Sequence, residues 1–161
     1  VTSLLLDADG DVHSVQRQKK FGATGRGRFA TGEGDGEFVT QIGRIALLTG
    51  EDVFDATEWP AAGDVDLVIS TGCFGREARS PIADTEAARR RLSELAVERK
   101  ACCAIADVTT APGARPDCAG FSVIIGSDGS TLAAARSRES AVLFVQVPVS
   151  IRKSSAAGMG G

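Results

Sequence analysis

Tyrosine is absent from this chain, and tryptophan, histidine and methionine occur once each, as Trp59, His13 and Met159. With aromatics at only 5%, the core must rest mainly on aliphatic side chains. No apolar run approaches the roughly 18–20 residues that a bilayer-spanning helix needs, so no membrane span is expected. Basic residues are not in excess: 18 Lys and Arg stand against 21 Asp and Glu, a net charge of −3. That balance, with a pI near 5.2, provides no electrostatic footprint for nucleic acid or an anionic membrane surface. No charged-then-apolar leader is expected, because Leu4-Leu5-Leu6 runs at once into Asp7 and Asp9. The chain opens on Val1 instead of Met, so either the initiator is missing and a start upstream is expected, or a non-standard start codon was translated literally.

Cysteine chemistry is thin as well. Four cysteines are present, Cys73, Cys102, Cys103 and Cys118, without a Cys-x-x-Cys pair, and His13 lies far from them in sequence. No metal site is therefore expected. Adjacent Cys102 and Cys103 are a poor disulfide framework, which favours a reducing cytoplasmic location. Side chains alternate across a strand, so these two face opposite sides and read as small buried hydrophobes. The stretch from Gly22 to Gly27 looks superficially like a phosphate cradle. It lacks the Gly-Lys-Ser/Thr ending and no helix follows it directly, so a loop is expected and no cofactor is implied.

What is present is an ordinary globular balance, 43% hydrophobic and 24% charged over 161 residues, the size of one domain. Glycine is abundant at 19 residues, well above the ~7% of average usage, which points to many tight turns. Residues 2–6 and 12–15 are β-prone and flank Asp7-Ala8-Asp9-Gly10, a hairpin signal. Residues 19–37 lose periodicity and read as a long loop, and 37–42 as a strand. Buried strands are expected at 45–49, 65–70 and 101–106, from continuous apolar runs bounded by turn residues. Residues 52–62 suggest a short helix or irregular turn.

A helix is expected to start at Ser80-Pro81 and to bury Ala88, Leu92, Leu95, Ala96 and Arg99 on one stripe. Its Arg89-Arg90-Arg91 run belongs to a solvated face. Residues 109–117 form a loop. Residues 121–126 and 130–135 flank a second Asp-Gly hairpin at Asp128-Gly129, and 141–149 form a last strand. The domain spans 1–151 and the Ser/Ala/Gly-rich residues 152–161 form a flexible tail. Strands alternating with a helix around a buried sheet define an α/β layer.

Asp7-Ala8-Asp9-Gly10 precedes a Lys/Arg-rich strand and Arg28-Phe29-Ala30-Thr31-Gly32. Gly43-Arg44-Ile45-Ala46-Leu47-Leu48-Thr49-Gly50-Glu51-Asp52 comes next. The strand at 66–70, a helix ending Ala96-Val97-Glu98-Arg99, the strand at 102–107 and the hairpin from Gly120 to Gly129 follow. This order of motifs resembles the carbon–nitrogen hydrolase (nitrilase) superfamily, mainly its C-terminal half, over about nine-tenths of the chain, with the stretch from Gly43 to Asp52 resembling the family's nucleophile strand. The resemblance implies a partial αββα sandwich, largely one sheet with covering helices and β-hairpins. It also implies amide or nitrile hydrolysis by a cysteine nucleophile, a proton-shuttling glutamate and an oxyanion-holding lysine.

Three positions depart from that set. Gly50 stands where the family cysteine belongs, just before Glu51 and Asp52. If Phe21 matches the leucine of the family's lysine segment, Gln18 takes the lysine position and Lys20 the histidine position. Lys20 would share Gln18's strand face, as a displaced lysine. The family glutamate lies upstream of everything present. Cys73, after a buried strand and between glycine and phenylalanine, is the rival nucleophile. Glu51 and Asp52 would flank the nucleophile, or simply open a helical turn as an acidic pair.

The candidate site residues are therefore Lys20, Gly50, Glu51 and Cys73. The expected function is a nitrilase-like domain of amidohydrolase ancestry that is catalytically impaired. The alternatives are a working hydrolase of a small amide, using Cys73 and Lys20 or a complementing chain, and a module that binds a small molecule or a protein. Strand surface at Ile45, Leu47, Val68 and Ile124 is expected to be incompletely covered, so a homo-oligomer or a complementing chain is expected.

Overall fold

The structure is a computed structural model and describes residues 1–21, 29–33, 36–40, 43–74, 84–110, 118, 120–136 and 139–148. The glycine-rich stretch 22–28, Ser80-Pro81, most of the 109–117 loop and the 152–161 tail lie outside the described residues.

Strands β1 (Thr2–Leu6) and β2 (Val12–Arg17) pair antiparallel. Asp7 closes their turn, its Oδ1 accepting the N–H groups of Asp9 at 3.0 Å and Asp11 at 2.9 Å. Gly10 takes the left-handed conformation, φ 87°, that a side chain would resist. The second sheet has six strands in sequence order. β3 (Glu37–Thr40) lies antiparallel to β4 (Gly43–Thr49), while β4, β5 (Leu67–Gly72) and β6 (Cys102–Asp107) are parallel. β7 (Val123–Ile125) and β8 (Thr131–Ala134) finish it as an antiparallel hairpin. Among the described residues, the α/β class is thus realised as two sheets and one α-helix.

Helix α1 (Thr85–Arg99) connects β5 to β6. It starts later than Ser80-Pro81 suggested, because Asp84 caps it: Oδ1 of Asp84 accepts the N–H groups of Glu86 and Ala87, both at 3.0 Å. Its apolar stripe, Ala88, Leu92, Leu95 and Ala96, packs on Ala46, Leu48, Val68, Cys103, Ile105, Val123 and Ile125. Arg99, expected on that stripe, instead donates to the carbonyl of Ala56 at 3.0 Å from a half-buried position. Trp59 joins this core and donates its Nε1–H to the Val53 carbonyl at 2.7 Å, which satisfies its polar edge.

The other face of β4 carries Ile45, Leu47 and Thr49, and here the structure corrects an expectation. Ile45 and Leu47 are 5% and 4% exposed, and Val68 0%. Val68 lies under α1. The β1–β2 hairpin covers the β4 face, with Oγ1 of Thr49 donating to Ser3 Oγ at 3.0 Å and Ser3 Oγ 3.1 Å from Thr71 Oγ1. Ile124 does remain half-buried. With Ile69, Ala104 and Ser122 it lines a groove of about 290 Å³ rimmed by Ala141, Val142 and Leu143.

The expected last strand is not formed over its described part. Residues 139–148 belong to no ladder, and Val142 and Phe144 stand 76% and 87% exposed. β propensity reports fit to a neighbouring strand, and among the described residues this segment has no strand partner.

Candidate functional site

Three parallel strands end at one edge of the sheet, β4 at Thr49, β5 at Gly72 and β6 at Asp107. Open α/β sheets present reactive groups beyond such carboxyl ends. Each strand hands the chain to a different device.

β4 gives way to a 3-10 helix, Gly50–Phe54, and Gly50 itself has φ 59°. Gln18 is packed against it. A Cβ built on Gly50 would stand 2.8 Å from Gln18 Nε2 and 2.9 Å from its Cδ and Oε1. Gln18 is buried, and its Nε2 donates to the Lys20 carbonyl at 2.6 Å.

Asp52 holds this arrangement in place. Its buried carboxylate accepts the Lys19 N–H at 2.9 Å through Oδ2 and the Lys20 N–H at 2.6 Å through Oδ1. The 3-10 helix therefore grips the segment after β2 and keeps Gln18 over Gly50. Burial pushes the Asp52 carboxyl above its ordinary value, and the two backbone hydrogen bonds pull the other way. The acidic pair after β4 thus splits: Asp52 is a buried clasp, while Glu51 is half-buried in the first turn.

Lys20 takes a different direction from the one alternation suggested. β2 ends at Arg17, so the strand pattern does not reach residue 20. The Lys20 Nζ lies 3.6 Å from both Asp55 Oδ2 and Glu58 Oε1, and the Lys19 Nζ 3.0 Å from Glu58 Oε2. Both ammonium groups are drawn toward acids downstream of the 3-10 helix.

β5 hands over to Cys73, which is exposed, and its Sγ lies 3.0 Å from that of buried Cys118. β6 hands over to Asp107, whose Oδ1 accepts the N–H groups of Phe74 and Val108, each at 2.9 Å, and whose Oδ2 accepts that of Phe121 at 2.7 Å. Asp107 therefore ties the exit of β5 to the approach of β7. Burial raises its carboxyl above the ordinary value, against those three hydrogen bonds.

Sequence reasoning missed both the Asp107 clasp and the Cys73–Cys118 approach. An aspartate ending a buried strand was a local signal for the first. The second joins residues 45 positions apart and leaves no local trace.

Among the described residues, no group of three or more His, Cys, Asp or Glu is placed to hold a metal. Cys103 lies in the helix-side core and Cys102 outside it, both buried, and burial pushes the Cys103 thiol up to about 12. His13 sits on the hairpin, its ring edge-on to Phe38 at 6.4 Å between centroids. It borders a groove of about 590 Å³ with Leu5, Asp7, Asp9, Val39 and Ile45. No helix among the described residues is long and apolar enough to cross a membrane.

No protein-family model matches the sequence, and a search of curated proteins finds no match. Solved structures do match in shape. Nit3 from Saccharomyces cerevisiae, of branch 10 of the nitrilase superfamily, superposes with a TM-score of 0.72 at 15% identity, over 86% of this chain and 50% of that one. XC1258 from Xanthomonas campestris, a CN-hydrolase superfamily protein with an arsenic adduct in its active site, gives 0.69 at 18% identity over 86% and 54%. A variant of the amidase from Nesterenkonia sp. AN1, in complex with butyramide, gives 0.67 at 23% identity over 85% and 51%. The chain spans about half the length of these structures. With its parallel β4–β5–β6 core covered by α1, and its partial αββα arrangement, it has a nitrilase-like fold.

Proposed function

We propose that this chain is a nitrilase-like domain of amidohydrolase ancestry whose own catalytic set is impaired. One observation carries the reading: Gly50 and Gln18 are packed together at the end of β4. The resemblance puts the nucleophile and the lysine at these two positions. A glycine offers no nucleophile, and a neutral carboxamide bonded to the Lys20 carbonyl is a poor substitute for a cation facing an oxyanion. Members of a catalytic unit act together, so losing one already costs orders of magnitude in rate.

A working hydrolase is the second reading. The exposed Cys73 thiol at the same strand edge favours it, while the placement of the Lys20 ammonium against Asp55 and Glu58 counts against Lys20 as its partner. A ligand-binding or interaction module is the third. In an assembly, the half-buried face around Ile69, Ala104 and Ile124 would be covered by a second copy or a complementing chain. A cytoplasmic location fits the two adjacent buried thiols of β6.

Ammonia release from a panel of short amides, butyramide included, tests the reading. No turnover is expected from the purified chain. Hydrolysis abolished by Cys73→Ser would overturn the impaired reading in favour of the second. A ligand that raises the melting temperature without turnover would identify the binding module. Light scattering at low concentration tests the assembly, and a monodisperse monomer overturns it.

A further inference from the structure

The two sulfurs at the end of β5 form a pair that neither the fold nor the hydrolase reading explains. We propose that Cys73 and Cys118 are a reversible dithiol–disulfide site that reacts with low-molecular-weight disulfides of the glutathione type.

The geometry already brings the reacting atoms together. The Sγ atoms are 3.0 Å apart, about 1 Å beyond a disulfide bond. Each backbone is fixed independently. Thr110 holds Cys118, its N–H donating to the Cys118 carbonyl at 3.0 Å and its Oγ1 accepting the Cys118 N–H at 2.9 Å. On the other side, Phe74 is buried next to Cys73 and donates its N–H to Asp107 Oδ1 at 2.9 Å. The close approach is therefore made between two anchored backbone segments.

Accessibility divides the roles. Cys73 is exposed and meets the external disulfide, while Cys118 is fully buried with its Sγ 3.0 Å from that of Cys73. In the first step the Cys73 thiol loses its proton to solvent and the thiolate attacks one sulfur of glutathione disulfide. A mixed disulfide forms and one glutathione leaves as the thiolate. Cys118 then loses its proton and attacks Cys73 Sγ, forming the internal bond and expelling the second glutathione. Two protein thiols are oxidised, one glutathione disulfide is reduced to two glutathiones, and the two protons reside on those products.

The remaining two cysteines serve as internal controls. Cys102 and Cys103 are buried on opposite faces of β6, and the Cys103 thiol, pushed up to about 12, stays protonated at neutral pH. Selectivity for the Cys73–Cys118 pair follows from exposure and proximity together. Closing the bond would fasten the Thr110–Cys118 bridge to the exit of β5, beside the Gly50 edge. The proposal does not depend on any hydrolase activity.

The experiment uses the full chain, reduced, desalted and exposed to glutathione disulfide over a range of glutathione ratios. Remaining thiols are alkylated and the products mapped by mass spectrometry. The expected result is loss of two of the four thiols, one intrachain Cys73–Cys118 link, full reversal by dithiothreitol, and a melting temperature several degrees higher for the oxidised chain. Cys118→Ser should stop at the mixed disulfide on Cys73, and Cys73→Ser should leave Cys118 unmodified. Wild-type mapping decides even if neither variant folds. Accumulation of the mixed disulfide in the wild type, links only between chains, no reaction, or equal reaction of all four cysteines would each overturn the proposal.

Discussion

A side chain on Gly50 would collide with Gln18: its Cβ would come within 2.8 Å of the Gln18 Nε2. Two obstacles to a residue with a side chain thus coincide at one position, the left-handed backbone of Gly50 at φ 59° and a buried carboxamide bonded to the Lys20 carbonyl. The glycine and the glutamine are compatible with each other in a way that neither would be with a cysteine in this arrangement.

Gly50→Cys tests that coupling. The left-handed backbone and the displaced Gln18 should together lower stability by about 1–3 kcal/mol in urea denaturation. Gln18→Ala in the same chain should return part of the loss, giving a non-zero coupling in a double-mutant cycle. Amide turnover should stay absent in Gly50→Cys, since one of three roles is restored. A neutral Gly50→Cys, or one additive with Gln18→Ala, would show that the contact constrains nothing.

Asp52 should matter more for stability than its neighbour Glu51. Its buried carboxylate accepts backbone N–H groups from Lys19 and Lys20, and replacing it by alanine takes the acceptor from both. Asp52→Ala should cost roughly 2–6 kcal/mol, about 1–3 for each donor that loses its acceptor. Glu51→Ala should lie within about 1 kcal/mol of wild type, the scale of a charge in a first helical turn. Equal effects for the two variants would dismiss the clasp.

Much of the fold was legible because its signals are local. Asp7 to Gly10 encodes a turn by side-chain acceptance and one positive φ, and the Ala88–Leu92–Leu95–Ala96 stripe encodes the buried face of α1. Local signals fail where distance enters. Ser80-Pro81 reads as the helix start, whereas the structure has the Asp84 carboxylate accepting the two N–H groups that open α1. Residues 141–148 have strand composition but no strand partner among the described residues, which only tertiary context reveals. For the site, the resemblance singled out Gly50 and Gln18 but not their contact, and the direction of Lys20 depends on Asp55 and Glu58, more than 30 residues away in sequence.

Stability should depend on pH through two carboxyls of the strand edge. Burial raises both Asp52 and Asp107 above the ordinary carboxylate value of 3.8. The folded chain then binds more protons than the unfolded chain between 3.8 and the raised values. Their contribution is complete below that window and declines as pH rises through it. Asp55, lowered first by its hydrogen bond from the Thr57 side chain, acts in the opposite sense and loses its contribution as pH falls through its lowered value. Urea midpoints measured from about pH 4 to about pH 7 should therefore fall less steeply, or rise, in Asp52→Asn and Asp107→Asn relative to wild type. Parallel curves for all three chains would refute the burial origin of the shifts.

Helix α1 ends in a conformation that its residue resists. Lys100 has φ 56° and ψ 37°, and it is the non-glycine residue with positive φ among those described. The surrounding hydrogen bonds explain why it is held there: the Ala101 N–H donates to the Ala96 carbonyl at 3.2 Å and the Lys100 N–H to Val97 at 3.3 Å, the paired bonds of a Schellman ending. A side chain in the left-handed region costs about 1–2 kcal/mol, and glycine removes that cost while adding some freedom to the unfolded chain. Lys100 is exposed, so little packing opposes the exchange. Lys100→Gly should stabilise the chain by roughly 0.5–1 kcal/mol, a rise of about 1–4 °C in melting temperature for a domain of this size. Lys100→Ala, which keeps a Cβ, should not. Equal stability of the glycine and alanine variants would mean that the left-handed ending of α1 is not where the strain lies.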